Sequence, residues 1–231
     1  MLNYIKGYSE IAFPKICVCC SHHLEASEKF LCSFCQNERF EPAFSISGDA
    51  SVMICPEVIC FRFSLWEFDK GGSLQDLLHL LKYGGMYDLG VELGTLLGKS
   101  LQNQISLRTL FKNGYPLLVP VPLHKKRERA RGYNQAAAIA RGVQQVTRWK
   151  SIECSSIERV KNTNSQIGLT VHDRRENIRG AFRVKNMDEM QNSIPVIIDD
   201  VFTTGATTFE LAGNLVSAGA ARVAIGTVAR V

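Results

Sequence analysis

Fifteen residues near the C-terminus, Ile194 to Thr208, read IPVIIDDVFTTGATT and constrain this chain more than any other stretch. Val196, Ile197 and Ile198 have the length and β-branching of a buried parallel strand, which is expected to stop at two carboxylates, Asp199 and Asp200. The turn that follows, Thr203, Thr204, Gly205, Ala206 and Thr207, offers successive backbone N–H groups and three hydroxyls at the start of a helix. The helix dipole favours an anion there, so the turn is a phosphate cradle. Carboxylates beside a bare phosphate would repel it. A ribose resolves the conflict, because its hydroxyls donate to the two acids while the cradle takes the 5′-phosphate. The ligand expected from these residues is a ribose 5-phosphate.

This stretch resembles the binding loop of type I phosphoribosyltransferases: four apolar residues, two acids, two apolar residues, then Thr-Thr-Gly-Ala/Ser-Thr. Downstream, Thr207 to Ala218 with Leu211, Leu215 and Val216 reads as a helix stopped by Gly219, and Arg222 to Val228 as a closing strand. Together they predict a right-handed parallel β-loop-α-β unit.

A chain of 231 residues can bury one α/β core and carry a small appendage. The appendage is expected at the N-terminus. Eight cysteines are many for a cytosolic protein, yet five fall within CVCCSHHLEASEKFLCSFC, residues 17 to 35, which argues for metal rather than disulfides. Cys17 and Cys20 form one Cys-x-x-Cys knuckle and Cys32 and Cys35 a second, the arrangement of a structural four-thiolate zinc site. Cys19, His22 and His23 remain alternative ligands, ranked below the four cysteines. Cys55 and Cys60 lack a matching pair and read as packing thiols. The boundaries expected are a zinc-binding module over residues 1–45 and an α/β domain with hood elements over 46–231. No apolar run has the length of a membrane span and the first residues lack the order of a signal peptide, so a cytoplasmic protein is expected. A net charge of +5 suits a partner that is a polyanion without requiring one.

Between these ends, Phe61, Phe63 and Leu65 alternate as in a strand, and Ser73 to Asp76 resembles a capping box ahead of Leu74, Leu77, Leu78 and Leu81 at helical spacing. Lys82 falls at that helix's end, where dipole compensation and ligand contact are equal readings. A second helix is expected over Tyr87 to Leu101, packing through Leu89, Leu93, Leu96 and Leu97. Leu117 to Val121 reads as a strand running into a basic loop, Lys125, Lys126, Arg127, Arg129 and Arg131, with a helix beginning near Gly132-Tyr133-Asn134-Gln135. Arg131 at the helix entrance suits a diphosphate, and the loop suits a nucleic-acid backbone equally. Residues 152 to 160 look like a further strand. The polar run Asn162 to Gln166, followed by Arg174, Arg175 and Arg179, reads as a lid over the site.

Taken in order, the paired knuckles, LKYGG, VPVPLH followed by RGYNQ, TNSQ followed by RRENIRGAF, and IIDDVFTTGAT are similar to the ComF/ComFC family of competence-associated proteins. The resemblance implies an N-terminal zinc module on a type I phosphoribosyltransferase fold, a parallel sheet flanked by helices with a hood. It implies phosphoribosyl pyrophosphate and Mg²⁺ as ligands and a cytoplasmic role in natural transformation or single-stranded DNA handling, with DNA-processing partners. On it, Asp199 and Asp200 bind the ribose hydroxyls, Thr203 to Thr207 hold the 5′-phosphate, Leu123 and His124 lie in the pyrophosphate loop, and Thr163 to Gln166 belong to a mobile catalytic loop. Asp200 is placed to stabilise positive charge developing at the anomeric carbon. No residue pattern identifies the acceptor. Two other readings stand beside transfer: a nucleic-acid binding module, with the basic segment and Phe61 to Phe68 forming a path for single strands, and a zinc-mediated adaptor.

Overall fold

The computed structural model describes residues 14–43, 56–153, 155–161 and 171–231, without the side chains of residues 171, 172, 174 and 175. The Thr163 to Gln166 segment, Phe44, Cys55 and the side chains of Arg174 and Arg175 therefore lie outside the described residues.

Alternation along apolar strands sets the layers. Strand β1 (Ile59–Glu67), β2 (Tyr115–Pro120), β3 (Lys150–Ser151), β6 (Ser193–Phe202) and β7 (Val223–Arg230) form one parallel sheet in the order β1-β7-β6-β2-β3. Val196 and Ile198 face one buried cluster and Ile197 the other, as Leu118 does against Leu117 and Val119. A central strand buried on both faces requires helices on both. One face receives α1 (Ser73–Tyr83), α2 (Tyr87–Gln102) and the apolar side of α5 (Gln135–Thr147), and the other receives α7 (Ala206–Ser217). The short α3 (Ile105–Leu110) and α4 (Lys125–Arg131) connect them. An antiparallel hairpin, β4 (Ile157–Arg159) with β5 (Phe182–Val184), brackets α6 (Val171–Ile178) outside the main sheet.

Several sequence expectations are corrected here. The strand predicted to stop at the acids continues through Asp199 and Asp200 to Phe202, because these residues pair with Thr227 to Arg230 of β7. Of the segment read as one strand over 152 to 160, only β4, Ile157–Arg159, is strand, and it belongs to a different sheet from β3, which ends just before the segment at Ser151. Ser73 does not cap α1: the N-cap is Gly72, and Asp69 accepts from the backbone N–H groups of Leu74 and Gln75 at 3.2 and 3.0 Å. The basic segment is helix α4, capped by His124, whose Nδ1 accepts from the N–H of Lys126 at 3.3 Å. It ends at Gly132, whose φ of 84° lets the chain turn into α5.

Helices α2 and α5 approach closely through glycines that the leucine stripe conceals. A Cβ at Gly94 would lie 1.9 Å from the carbonyl oxygen of Ile139, and one at Gly142 2.0 Å from that of Val91. Only glycine permits this approach, which fixes the start of α5 at the carboxyl end of the sheet.

Residues 41–43 run antiparallel beside β1. The N–H of Ala43 donates to Leu65 O at 3.0 Å and that of Glu67 to Glu41 O at 2.8 Å, so the edge of the sheet is covered. Phe40 packs its ring 4.8 Å from that of Trp66, and Cys17, Leu31, Cys35 and Phe40 share one buried cluster with the leucines of α1 and α2.

Candidate functional site

The chain leaves β2 and β6, which are neighbours, in opposite directions: β2 leads to β3 and β6 to β7. A crevice opens at the carboxyl ends of strands where the order reverses in this way. A cavity of about 500 Å³ lies here, within the usual size of ligand sites, roughly 300 to 1,000 Å³. It brings together Asp199, Asp200, Thr203, Gly205, Ala206, Thr207, Leu123 and Arg131 from stretches distant in sequence. Thr204 and His124 do not line it; His124 is occupied in capping α4.

On the β6 side, Gly205 adopts a φ of 71° as N-cap of α7 and, having no side chain, supplies no side-chain cap to this helix. Its first turn therefore keeps its positive end toward the cavity. Thr208 is turned away, its hydroxyl donating to Gly205 O at 3.1 Å. The buried Thr204 hydroxyl has no hydrogen-bond partner among the described residues.

The acids differ in environment. Asp200 pairs with Lys82, its Oδ2 lying 3.0 Å from the ammonium, and this charge holds the lysine above the ordinary lysine range. Asp199 accepts the N–H of Asp200 at 2.9 Å, but burial and then the Asp200 charge push its carboxyl up to about 7. An Asp raised in the fold contributes stability that is present below its unfolded value near 3.8 and is lost as pH rises through about 7. Asp199→Asn escapes that loss. Its thermal stability is expected to exceed the wild type's by an amount that grows from pH 4 to 7 and levels off above, reaching about 1–3 kcal/mol. A difference independent of pH in thermal melts would contradict the buried, proton-holding Asp199.

Four cations, Lys82, Arg127, Arg131 and Arg159, line the cavity with the two acids. Arg127 and Arg131 are four residues apart and share the cavity side of α4, while Lys126 and Arg129 are exposed on its outer side. Arg159, 7% exposed, comes from β4 and lies with its guanidinium 5.6 Å from the Phe182 ring. Sequence reasoning left Lys82 open and missed Arg159 and Gln135. The i, i+4 spacing of Arg127 and Arg131 was the signal available for Arg127, and nothing local marked Arg159.

The second constellation is the cysteine cluster. The sulfurs of Cys17, Cys20, Cys32 and Cys35 lie within 4.8 Å of one another, with 3.8 Å from Cys17 to Cys35 and 3.5 Å from Cys20 to Cys32. A tetrahedron of 2.3 Å Zn–S bonds has edges of about 3.8 Å, so the donor set is consistent with a structural zinc site. Burial raises the Cys17 thiol, but N–H groups of Cys32, Cys19 and Cys20 outweigh it and bring it down to about 6. Cys19 stands outside the group, its thiol pushed up to about 12 by burial and the Cys17 charge. Neither His22 nor His23 belongs to the cluster. Among the described residues, no helix is long and apolar enough to cross a membrane.

The parallel sheet flanked by helices, with a four-cysteine cluster before it, is consistent with a phosphoribosyltransferase-like fold carrying a zinc-binding module. No family model matches the chain. It is 33% identical over 167 residues to the DNA utilization protein YhgH of Salmonella typhi, covering 70% of this chain and 69% of that one. It is also 36% identical over 116 residues to Competence protein F of Haemophilus influenzae, 49% of either chain, and 31% identical over 115 residues to Competence protein ComFC of Bacillus subtilis, 48% of this chain and 44% of that one. The matches thus span about half the length of the two competence proteins. The chain belongs to the ComF/ComFC-related competence protein family.

Proposed function

We propose that the cavity binds phosphoribosyl pyrophosphate with Mg²⁺ and transfers its ribosyl phosphate to a nucleophilic acceptor, which bonds to the anomeric carbon as pyrophosphate leaves. The observation that carries this reading is the acid pair at the switch point, followed by the Thr203 to Thr207 turn and a helix whose N-cap is a glycine. Asp199 and Asp200 accept the ribose hydroxyls, and the amides and hydroxyls of Thr203 to Thr207 hold the 5′-phosphate. Arg131 and the Leu123 loop face the diphosphate, whose leaving requires neutralisation of charge. Positive charge developing at the anomeric carbon lies within the field of Asp200. Mg²⁺ arriving with the substrate would supply neutralisation of the diphosphate charge and would take few ligands from the protein. Zn²⁺ on the four cysteines has a structural role, since a closed thiolate site leaves no position for substrate.

The test is saturable binding of phosphoribosyl pyrophosphate in the presence of Mg²⁺, with ribose 5-phosphate and pyrophosphate each competing. Pyrophosphate release in the presence of candidate acceptors then reports transfer. Wild-type protein that binds none of the three ligands would overturn the reading.

The names of the relatives, competence protein and DNA utilization protein, support a role for this activity in the uptake or use of DNA. The exposed Lys126 and Arg129 of α4 favour direct contact with a single strand as a second function. The aromatic path first expected at Phe61 to Phe68 is not open to bases, because Phe61 and Trp66 are buried in the core. Lys126→Ala/Arg129→Ala is expected to reduce the salt slope of oligonucleotide binding by about 1–2, measured by anisotropy. An unchanged slope would remove α4 from the contact.

A further inference from the structure

The wall facing the Thr203 to Thr207 turn holds two polar groups that a ribose and a 5′-phosphate leave unexplained. Lys82 leaves the last turn of α1 and reaches the Asp200 carboxylate, one of the two that the ribose hydroxyls require. Compensation of the helix dipole needs only a cation near the helix end, not one drawn across the cavity. Gln135, the first residue of α5, lines the same cavity and is 3% exposed, yet its Nε2 has no hydrogen-bond partner among the described residues. A buried amide donor left without an acceptor is costly, and the cost is explained where a ligand brings the acceptor.

The two side chains belong to one fixed unit. The Tyr133 hydroxyl donates to the carbonyl of Leu81, one residue before Lys82. The Arg131 guanidinium lies 5.3 Å from the centre of the Tyr83 ring, one residue after it. Asn134 caps α5 through the N–H of Ala136 at 3.0 Å and donates to Val121 O at 3.1 Å, which sets Gln135 at the cavity wall. The end of α1 is thus tied to the start of α5, and an ammonium and an amide donor are presented together.

A ribose entering the site competes with Lys82 for Asp200 and frees its ammonium inside the cavity. The anion that must arrive with such a ribose is the group on its anomeric carbon. We propose that Lys82 and Gln135 receive the diphosphate of the substrate, and that Lys82 is held on Asp200 until the ribose displaces it. This rests on the phosphoribosyl pyrophosphate reading above and adds the residues that distinguish the diphosphate ester from ribose 5-phosphate. Both are binding residues, placed by Tyr133 and Asn134.

Calorimetry with phosphoribosyl pyrophosphate, inorganic pyrophosphate and ribose 5-phosphate, each with Mg²⁺, tests it on wild type, Lys82→Met and Gln135→Met. Lys82→Met is expected to weaken phosphoribosyl pyrophosphate about tenfold or more while leaving pyrophosphate, which carries no ribose to displace Lys82 from Asp200, within about threefold; Gln135→Met is expected to weaken both diphosphate ligands about fivefold, and ribose 5-phosphate stays within about threefold of wild type or tighter in both variants. Equal losses for all three ligands in either variant, or no loss of phosphoribosyl pyrophosphate affinity in Lys82→Met, would overturn the assignment while leaving the parent reading intact. Failure of the wild type to bind any of them would overturn both. Thermal melts establish that each variant is folded, and Gln135→Met carries the same discrimination if Lys82→Met does not fold.

Discussion

Removing zinc from Cys17, Cys20, Cys32 and Cys35 is expected to lower the thermal midpoint of the whole protein by about 10–20 °C, in one transition rather than two. A free-standing finger would melt alone. Here Cys17, Leu31, Cys35 and Phe40 share a buried cluster with Leu74, Leu93 and Leu101 of the first two helices. Phe30 donates its N–H to Glu92 of α2 at 2.9 Å, and residues 41–43 cover the edge of β1. Structural zinc contributes about 10–16 kcal/mol to folding in isolated fingers, and several kcal/mol of that is expected to be felt in the shared core. Chelator titration followed by calorimetry or by fluorescence of the buried Trp66 measures it, with metal analysis expected to find about one zinc per chain. Cys32→Ser should reproduce the loss and Cys19→Ser should stay within about 0.5 kcal/mol of wild type. Two separate transitions, with the larger unmoved by chelator, would show the module to be independent.

The acid pair is expected to give the largest effect on ligand binding. Asp199→Asn/Asp200→Asn removes the acceptors for two ribose hydroxyls, each a charge-assisted hydrogen bond of about 1.5–3 kcal/mol. The affinity for phosphoribosyl pyrophosphate should fall at least about 100-fold, and that for ribose 5-phosphate similarly. Pyrophosphate makes no such bonds. Its affinity should hold or rise, because the same substitutions leave Lys82, Arg127, Arg131 and Arg159 facing the cavity without the two carboxylates. Asp199→Asn alone should also melt higher above pH 7, since residue 199 no longer ionises, whereas the double variant also loses the Asp200–Lys82 ion pair. A cooperative thermal melt together with loss of sugar binding separates a functional defect from an unfolded protein.

Much of the fold is legible in local chemistry. The β-branched run Val196 to Ile198, the leucine stripes of α1 and α2, and the spacing of Cys17, Cys20, Cys32 and Cys35 each identify an element without reference to the rest. What escaped depends on tertiary partners. The acids looked like a strand terminus, yet they lie within β6 because β7 pairs with them to Phe202. Lys125 to Arg131 looked like a loop because charge masks helical periodicity where there is no apolar face, and α4 has no buried residue. Gly90, Gly94 and Gly98 were hidden behind the leucines, since glycine spacing acquires meaning only against a second helix.

In the candidate site, the motif residues on β6 and its following turn were readable because one segment supplies both acids and cradle. The opposite wall is assembled from the end of α1, one side of α4, the start of α5 and strand β4, which no short pattern joins. Lys82 illustrates the limit: sequence places it at a helix end, and only the packing of α1 brings that end over Asp200. Spacing ranked Cys19 below the other four cysteines, and the mutual approach of their sulfurs separates it.

The most direct measurement is calorimetric titration of wild type and Asp199→Asn/Asp200→Asn with phosphoribosyl pyrophosphate and Mg²⁺. Saturable binding by the wild type and an affinity at least about 100-fold weaker in the folded variant is the result expected. Binding of equal strength by both proteins, or none by the wild type, would contradict a ribosyl phosphate site built on the acid pair.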